Sequence, residues 1–169
     1  MLTDHAPAAT DLVTAFKDAF RTHPAGIALI TAQTADGPVG LTASSVASVG
    51  IDPAALAFSV TRATGSAGGL LSADSYMVHL LDREQLHIAQ QFAVSGGERF
   101  TAEQGWDTLD TGEPYLPSAR AALRARTLQT SAVGGSTLVL AEVLDIRLGT
   151  PGEPLIYRDR TFHALGEAY

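Results

Sequence analysis

The sequence predicts a mainly β protein with short helices, built on a largely antiparallel sheet that closes into a barrel. Three features predict it. Short apolar runs recur along the chain and are joined by hairpin-type turns. Two late runs, residues 123–131 and 137–148, are long, and closing the sheet removes the edges that such strands would otherwise expose. Helical spacing is confined to a few short stretches.

The elements follow in order. Residues 11–21 place Leu12, Phe16, Ala19 and Phe20 on one face at helical spacing, which predicts a capped helix with both phenylalanines in the core. Residues 27–32 (IALITA) read as a buried strand, and Asp36-Gly37 is a hairpin signal. The chain then returns as one strand, VGLTASSVASV, turns at Asp52-Pro53 and continues as a strand over 55–60. A short helix is expected over 67–71, a strand over 76–81 and a helix over 83–94. Residues 95–117 are polar and turn-rich and read as a long loop. The two long strands meet near Gly134-Gly135, and a last pair flanks Arg158-Asp159-Arg160. Residues 1–22 are read as an N-terminal tail and helix packing on the barrel, and 23–169 as the barrel domain.

At 169 residues the chain holds one domain with a sizeable core. Hydrophobic residues make up 46% and charged residues 17%, so part of the surface is expected to be covered by a second copy of the chain. The net charge is −7 and the basic residues are scattered, which argues against nucleic acid; an anionic ligand would need local donors. No run approaches the length of a membrane span, and the N-terminus lacks a basic start followed by an apolar run, so a soluble cytoplasmic protein is expected. There is no cysteine, and no His/Asp/Glu spacing matches a metal site; no metal is expected.

Two hydroxyl clusters stand out. Thr42, Ser44, Ser45 and Ser48 lie between apolar runs, and Ser59, Thr61, Thr64, Gly65 and Ser66 lead from a strand into a short helix. Small hydroxyls let a backbone approach a flat ligand and hydrogen-bond to it without adding charge. Strand, hydroxyl turn and helix start together make a workable phosphate cradle, to which Arg62 could add charge. The same residues would equally serve as the outer face of an edge strand and as a helix cap.

The order HPAGIALITA, DGPVGLTASSVASVGIDP, ALAFSV, SADSYMVHLL, FAVSGGERF and PLIYRDRTFHALG resembles the flavin reductase domain proteins, the reductase components of two-component flavin monooxygenases. The resemblance spans residues 23–166. It implies an antiparallel split β-barrel (the FMN-binding split barrel) acting as a homodimer. It further implies hydride transfer from NADH or NADPH to FMN or FAD, and diffusion of reduced flavin to a partner monooxygenase. Carried over by residue, Thr42, Ala43, Ser44 and Ser45 would line the isoalloxazine, with Ser48 and Val49 supporting the same edge. Ser59, Val60, Thr61, Gly65 and Ser66 would face the ribityl-phosphate. Arg99, Phe100 and His163 would close the pocket or meet the nicotinamide, with His163 as the catalytic candidate. On this reading Ser45→Leu should abolish flavin binding and leave the fold intact.

The chain departs from the family pattern in three places. Gly50 stands where relatives often carry Ser, and Ala54 where they often carry a second Pro. Gly134-Gly135-Ser136 stands where many have Gly-Asp-His, which puts nicotinamide preference or turnover in question. Other readings are a flavin enzyme with another redox substrate on the same barrel, or a non-catalytic flavin-binding accessory protein. The absence of a basic cluster favours NADH over NADPH. His79 is read as structural, His23 as shaping a turn and His5 as part of the tail. Trp106 and Tyr115 are read as either covering a ligand or anchoring the long loop.

Overall fold

The computed structural model describes residues 9–167, so His5 and the first eight residues of the tail lie outside the described part. Seven strands form one antiparallel sheet. They are β2 (Ala28–Thr34), β3 (Gly37–Ala43), β4 (Ala47–Ile51), β5 (Ala54–Thr61), β6 (Tyr76–Leu80), β9 (Ala121–Val133) and β10 (Ser136–Leu148), in the order β3-β2-β6-β9-β10-β5-β4. Two short strands, β1 (Ala25–Gly26) and β11 (Ile156–Arg158), join β12 (Thr161–His163) in a small second sheet. Strands β7 (Asp107–Thr108) and β8 (Pro114–Tyr115) pair within the long loop.

The sheet order explains the barrel. Strands β3 and β4 are consecutive in sequence yet form opposite edges of the sheet. Residues 44–46 bridge them, so the sheet must roll until its edges approach. The segment VGLTASSVASV is therefore two strands and a crossing rather than the single strand its composition suggests. Strictly alternating burial shows the inside: Leu56, Phe58 and Val60 of β5 point into the core, while Ser59 and Thr61 point out.

Strand β2 is buried on both faces. Ala28, Ile30 and Ala32 face the barrel interior with Tyr76, Val78, Val139 and Ala141. Leu29 joins an outer core with Ile88, Ala89 and Phe92 of helix α3 (Leu86–Ala93). Gly40 permits this packing, because a Cβ there would lie 2.6 Å from the Phe92 ring. Helix α2 (Gly65–Ser72) is glycine-rich and a poor helix former by itself. It is held by burial of Ala67 and Leu70 in the barrel core.

Helix α1 (Ala9–Arg21) departs from the sequence reading. Phe16 and Phe20 are 61% and 59% exposed, and Leu12 and Val13 are exposed beside them. The helix is tied to the chain at its C-terminal end: Asp159 N–H donates to the Arg21 carbonyl, Arg158 Nε to the Thr22 carbonyl at 3.1 Å, and Arg21 pairs with Asp159 at 3.0 Å. The helix is amphipathic as expected, but its apolar face finds no complementary surface among the described residues. The expected helix over 83–94 is a 3-10 turn capped by Asp82 followed by α3.

Candidate functional site

A cleft of about 900 Å3 opens between α1, the residue 44–47 crossing and the β11–β12 hairpin. Ser44, Ser45 and Ser59 line one wall. Lys17, Arg21, His23, Arg158 and Arg160 come in from the other elements. Asp18 lines it too and Arg21 is paired with Asp159, so in a chain of net charge −7 the positive charge of the cleft left unpaired among the described residues comes from Lys17, Arg158 and Arg160, far apart in sequence. Residues that look scattered along the sequence are thus brought to one cleft.

The Ser45 hydroxyl accepts from Ser59 N–H at 3.0 Å and donates to the Ser59 carbonyl at 3.2 Å. It takes the place of a ladder residue just beyond the Ala47–Ala57 pair where β4 leaves β5. Ser45→Leu would therefore remove a seam contact as well as alter the cleft wall, so it does not separate binding from stability. Ser44 is exposed in the cleft with no hydrogen bond to another described side chain or backbone group.

Thr42 and Ala43 point elsewhere. The Thr42 hydroxyl donates to the Ala89 carbonyl at 2.7 Å, and Ala43 is buried in the barrel core, so only their backbone is open to a ligand. Val60 likewise faces the core. Ser48 lines a different cavity, and Val49 lies exposed at an irregularity in the β4–β5 register.

Along the outer face of β5, Ser59 leads to Thr61, roughly 7 Å further on. Thr61 Oγ lies 3.4 Å from Ser136 Oγ, and Arg62 N–H donates to the Gly135 carbonyl at 2.9 Å. Ser136 therefore sits beside this track.

The track ends at the start of α2. Its N-cap Thr64 makes no side-chain cap bond, which leaves the first N–H groups of the helix open to an anion. Beneath them lies Arg99. One Nη donates to Ser66 Oγ at 2.7 Å and to the Gly40 carbonyl at 3.0 Å; the other donates to the Val94 and Phe92 carbonyls at 2.9 and 3.3 Å. The guanidinium thus fixes the loop after α3 against the start of α2 and places a positive charge under it. Its partners are carbonyls and a hydroxyl, neither Glu98 nor Glu103.

Phe100 packs against Phe92 and Trp106, with ring centroids 5.1 and 4.9 Å apart, in the outer core. Trp106 donates to Gln104 Oε1 at 2.7 Å, and it packs edge-on to His79 while Tyr115 stacks on the same imidazole, so both aromatics anchor the long loop. His79 is fully buried: its Nδ1–H donates to the Leu29 carbonyl at 3.0 Å and its Nε2 accepts from Leu116 N–H at 3.1 Å. Burial pushes this imidazole down to about 4 against a smaller upward pull from the Leu29 bond. His163 is exposed on β12, and its Nε2–H donates to the Arg158 carbonyl at 3.2 Å, which leaves Nδ1 free.

A hydroxyl track that runs from a cationic cleft to an uncapped helix start has the shape and donors for a phosphorylated, flat, hydrogen-bonding ligand. The family model for the flavin reductase like domain matches residues 20–166. The chain belongs to this family. It is 36% identical to an NADH:FMN oxidoreductase of Rhodococcus erythropolis over 152 residues, 88% of this chain and 79% of that protein. It is 29% identical to the reductase component of an FADH(2)-dependent resorcinol hydroxylase of a Rhizobium species, over 90% of this chain and 87% of that one. Among solved structures, a flavin reductase domain protein from Arthrobacter sp. FB24 superposes with a TM-score of 0.87 at 27% identity, covering 93% of this chain and 98% of that chain. The open, largely antiparallel sheet is the split barrel of these proteins.

Sequence reasoning missed Lys17, Arg21 and Arg160 as cleft residues. Their only signal was position: a helix at one end of the chain and a hairpin at the other carry no shared pattern until the fold docks them.

Proposed function

We propose that this protein is an NADH-dependent flavin reductase that reduces FMN and supplies it to a partner monooxygenase. The observation that carries the reading is the uncapped start of α2 above the Arg99 guanidinium, reached along Ser59 and Thr61 from the serine wall of the cleft. The names of the relatives, an NADH:FMN oxidoreductase and a hydroxylase reductase component, support the same chemistry.

The residues fit a flavin mononucleotide. The N–H groups of Gly65 and Ser66 would take the phosphate, and Thr61 and Ser59 would follow the ribityl chain. Ser44 and the backbone of 42–45 would meet the polar edge of the ring and stabilise negative charge there. Bound flavin supplies the acceptor for the hydride of the reduced nicotinamide. The chain's own task is to hold two flat rings in contact and to keep water from between them. His163 does not line the cleft itself; its Nε2–H donates to the carbonyl of Arg158, which does, and Arg99 acts through Ser66 as a positioning residue.

Arg160 serves the phosphates of the nicotinamide nucleotide. It lines the cleft, and no described residue pairs with it. It also holds a left-handed backbone (φ 61°), next to Asp159 at 50°, in a turn that Asn-Gly would fill with less strain. Asp159 is used by Arg21; the retained arginine points to a ligand.

A homodimer belongs to the same proposal. Leu12, Val13, Phe16 and Phe20 of α1, and Val49, Ile51, Leu138 and Leu148 of the sheet, are large apolar side chains left exposed, the kind of surface a second copy would cover. Phe16 and Phe20 border the cleft, so a second copy would wall it. No helix among the described residues is long and apolar enough to cross a membrane, and a cytoplasmic setting would supply the reduced nicotinamide.

The test is oxidation of NADH and of NADPH by the purified protein without flavin, with FMN and with FAD, followed by loss of nicotinamide absorbance. FMN-dependent NADH oxidation is expected. Flavin binding with no oxidation of either nucleotide would leave a binding protein instead.

A further inference from the structure

A second cavity, about 280 Å3, lies at the end of the barrel away from the Thr34 and Val39 side chains on which α2 packs. Its walls are oily: Ile27, Leu56, Leu80, Leu81, Leu123 and Leu155 all line it. Two polar side chains break the wall, Ser48 and Arg120.

Arg120 is the anomaly. It is partly buried, its Nε is shielded from solvent without a hydrogen-bond partner, and no described residue makes an ion pair with its guanidinium. The chain has 18 acidic residues to 11 basic ones, yet no described one is brought to it. A cation held partly out of water without a counter-charge is unfavourable, and a guanidinium matches a carboxylate with two parallel bonds. The Ser48 hydroxyl, which makes no hydrogen bond to a described residue, adds a donor to the same cavity. What completes this site is an anion on an apolar body, and the space is near the lower end of ordinary small-molecule pockets, which begin at about 300 Å3.

We infer that the barrel mouth binds a small apolar monocarboxylate of about one aromatic ring, with its carboxylate on Arg120 and Ser48 and its ring among the leucines. The site adjoins the serine cleft without being part of it. Gly26 and Val46 line both cavities, whereas Arg120, Leu56 and Leu80 line only the mouth. It does not depend on the reductase assignment.

The experiment is a fluorine NMR titration of the full chain with 4-fluorobenzoate, and separately with 4-fluorobenzyl alcohol, with and without saturating FMN. Arg120→Met and Arg120→Lys are carried through the same titrations after their folding is checked by circular dichroism. Saturable binding of the acid at one site per chain is expected, unchanged by FMN. Binding should weaken roughly tenfold or more in Arg120→Met and for the alcohol, and recover in part in Arg120→Lys. Non-saturable binding, displacement by FMN, an alcohol that matches the acid, or equal affinity in Arg120→Met would each overturn the site. Should Arg120→Met fail to fold, the acid–alcohol comparison and Arg120→Lys still decide. FMN that fails to bind at all would strike the flavin reading and leave this one standing.

Discussion

The hydroxyl of Ser45 closes a two-way bond with the backbone of Ser59, accepting from its N–H and donating to its carbonyl. This side chain stitches the crossing between β3 and β4 onto β5, at the point where the backbone ladder stops. Ser45→Ala is expected to lower stability by about 1 kcal/mol, measured by urea unfolding. Ser44→Leu, which removes no such bond, is expected to keep the stability of the parent and to lose FMN binding. A destabilised Ser44→Leu, or one that binds FMN normally, would move the ring away from this wall.

Arg99 ties four acceptors together and contributes charge beneath α2. Arg99→Met leaves three carbonyls and Ser66 without that donor. The expected cost is about 2–3 kcal/mol of stability, and FMN affinity should fall more than riboflavin affinity, because only FMN carries the phosphate. Equal loss for both flavins would assign Arg99 a purely structural part.

Stability should fall as pH drops below neutrality. The unfolded His79 takes up a proton near pH 6.5, whereas the buried imidazole resists until about pH 4. Between those values the unfolded state binds more protons, so acid favours unfolding, by on the order of 3 kcal/mol across the window. Glu113 acts lower in the scale. Burial pushes its carboxyl up, but Ser75, Thr111, its own backbone and Arg124 (Nε at 2.6 Å) outweigh that and hold it below the ordinary value. Its contribution is present above the usual carboxylate range and is lost as pH falls through its folded value. Urea midpoints measured from pH 7 to pH 4 should slope downward in the parent and flatten above pH 4.5 in His79→Gln.

Arg160 offers a separation of fold from function. Arg160→Gly relieves a left-handed backbone, so thermal stability should hold or rise by up to about 1 kcal/mol. The KM for NADH should increase roughly tenfold with kcat little changed, as for lost ground-state contacts to phosphate. A lowered melting temperature with normal KM would reverse the assignment.

Phe16→Asp places a charge in the exposed face of α1. Light scattering is expected to show a dimer for the parent and a monomer for the variant. A parent that is monomeric at micromolar concentration, or a variant that stays dimeric, would remove α1 from the interface.

Much of the architecture was legible in the chain because it is local. Alternation in ALAFSV set which face of β5 is buried, Asp36-Gly37 set a hairpin, and the two long apolar runs announced β9 and β10. The hydroxyl-rich turn before α2 and the residue order around TASS were enough to suggest the family. What residue patterns could not decide is where distant segments meet. Whether TASSVAS is one strand or a crossing between sheet edges depends on how the sheet rolls, and local preference is the same in both. Phe16 and Phe20 have the spacing of a core helix, but burial needs an opposing surface, and the described residues do not provide it. The cationic wall of the cleft brings Lys17 and Arg21 together with Arg158 and Arg160, and Arg99 meets Ser66 across 33 residues. Such meetings are set by packing of the whole barrel. The residue types were written in the sequence; their electrostatic sum and their vacant partners exist only in the folded chain.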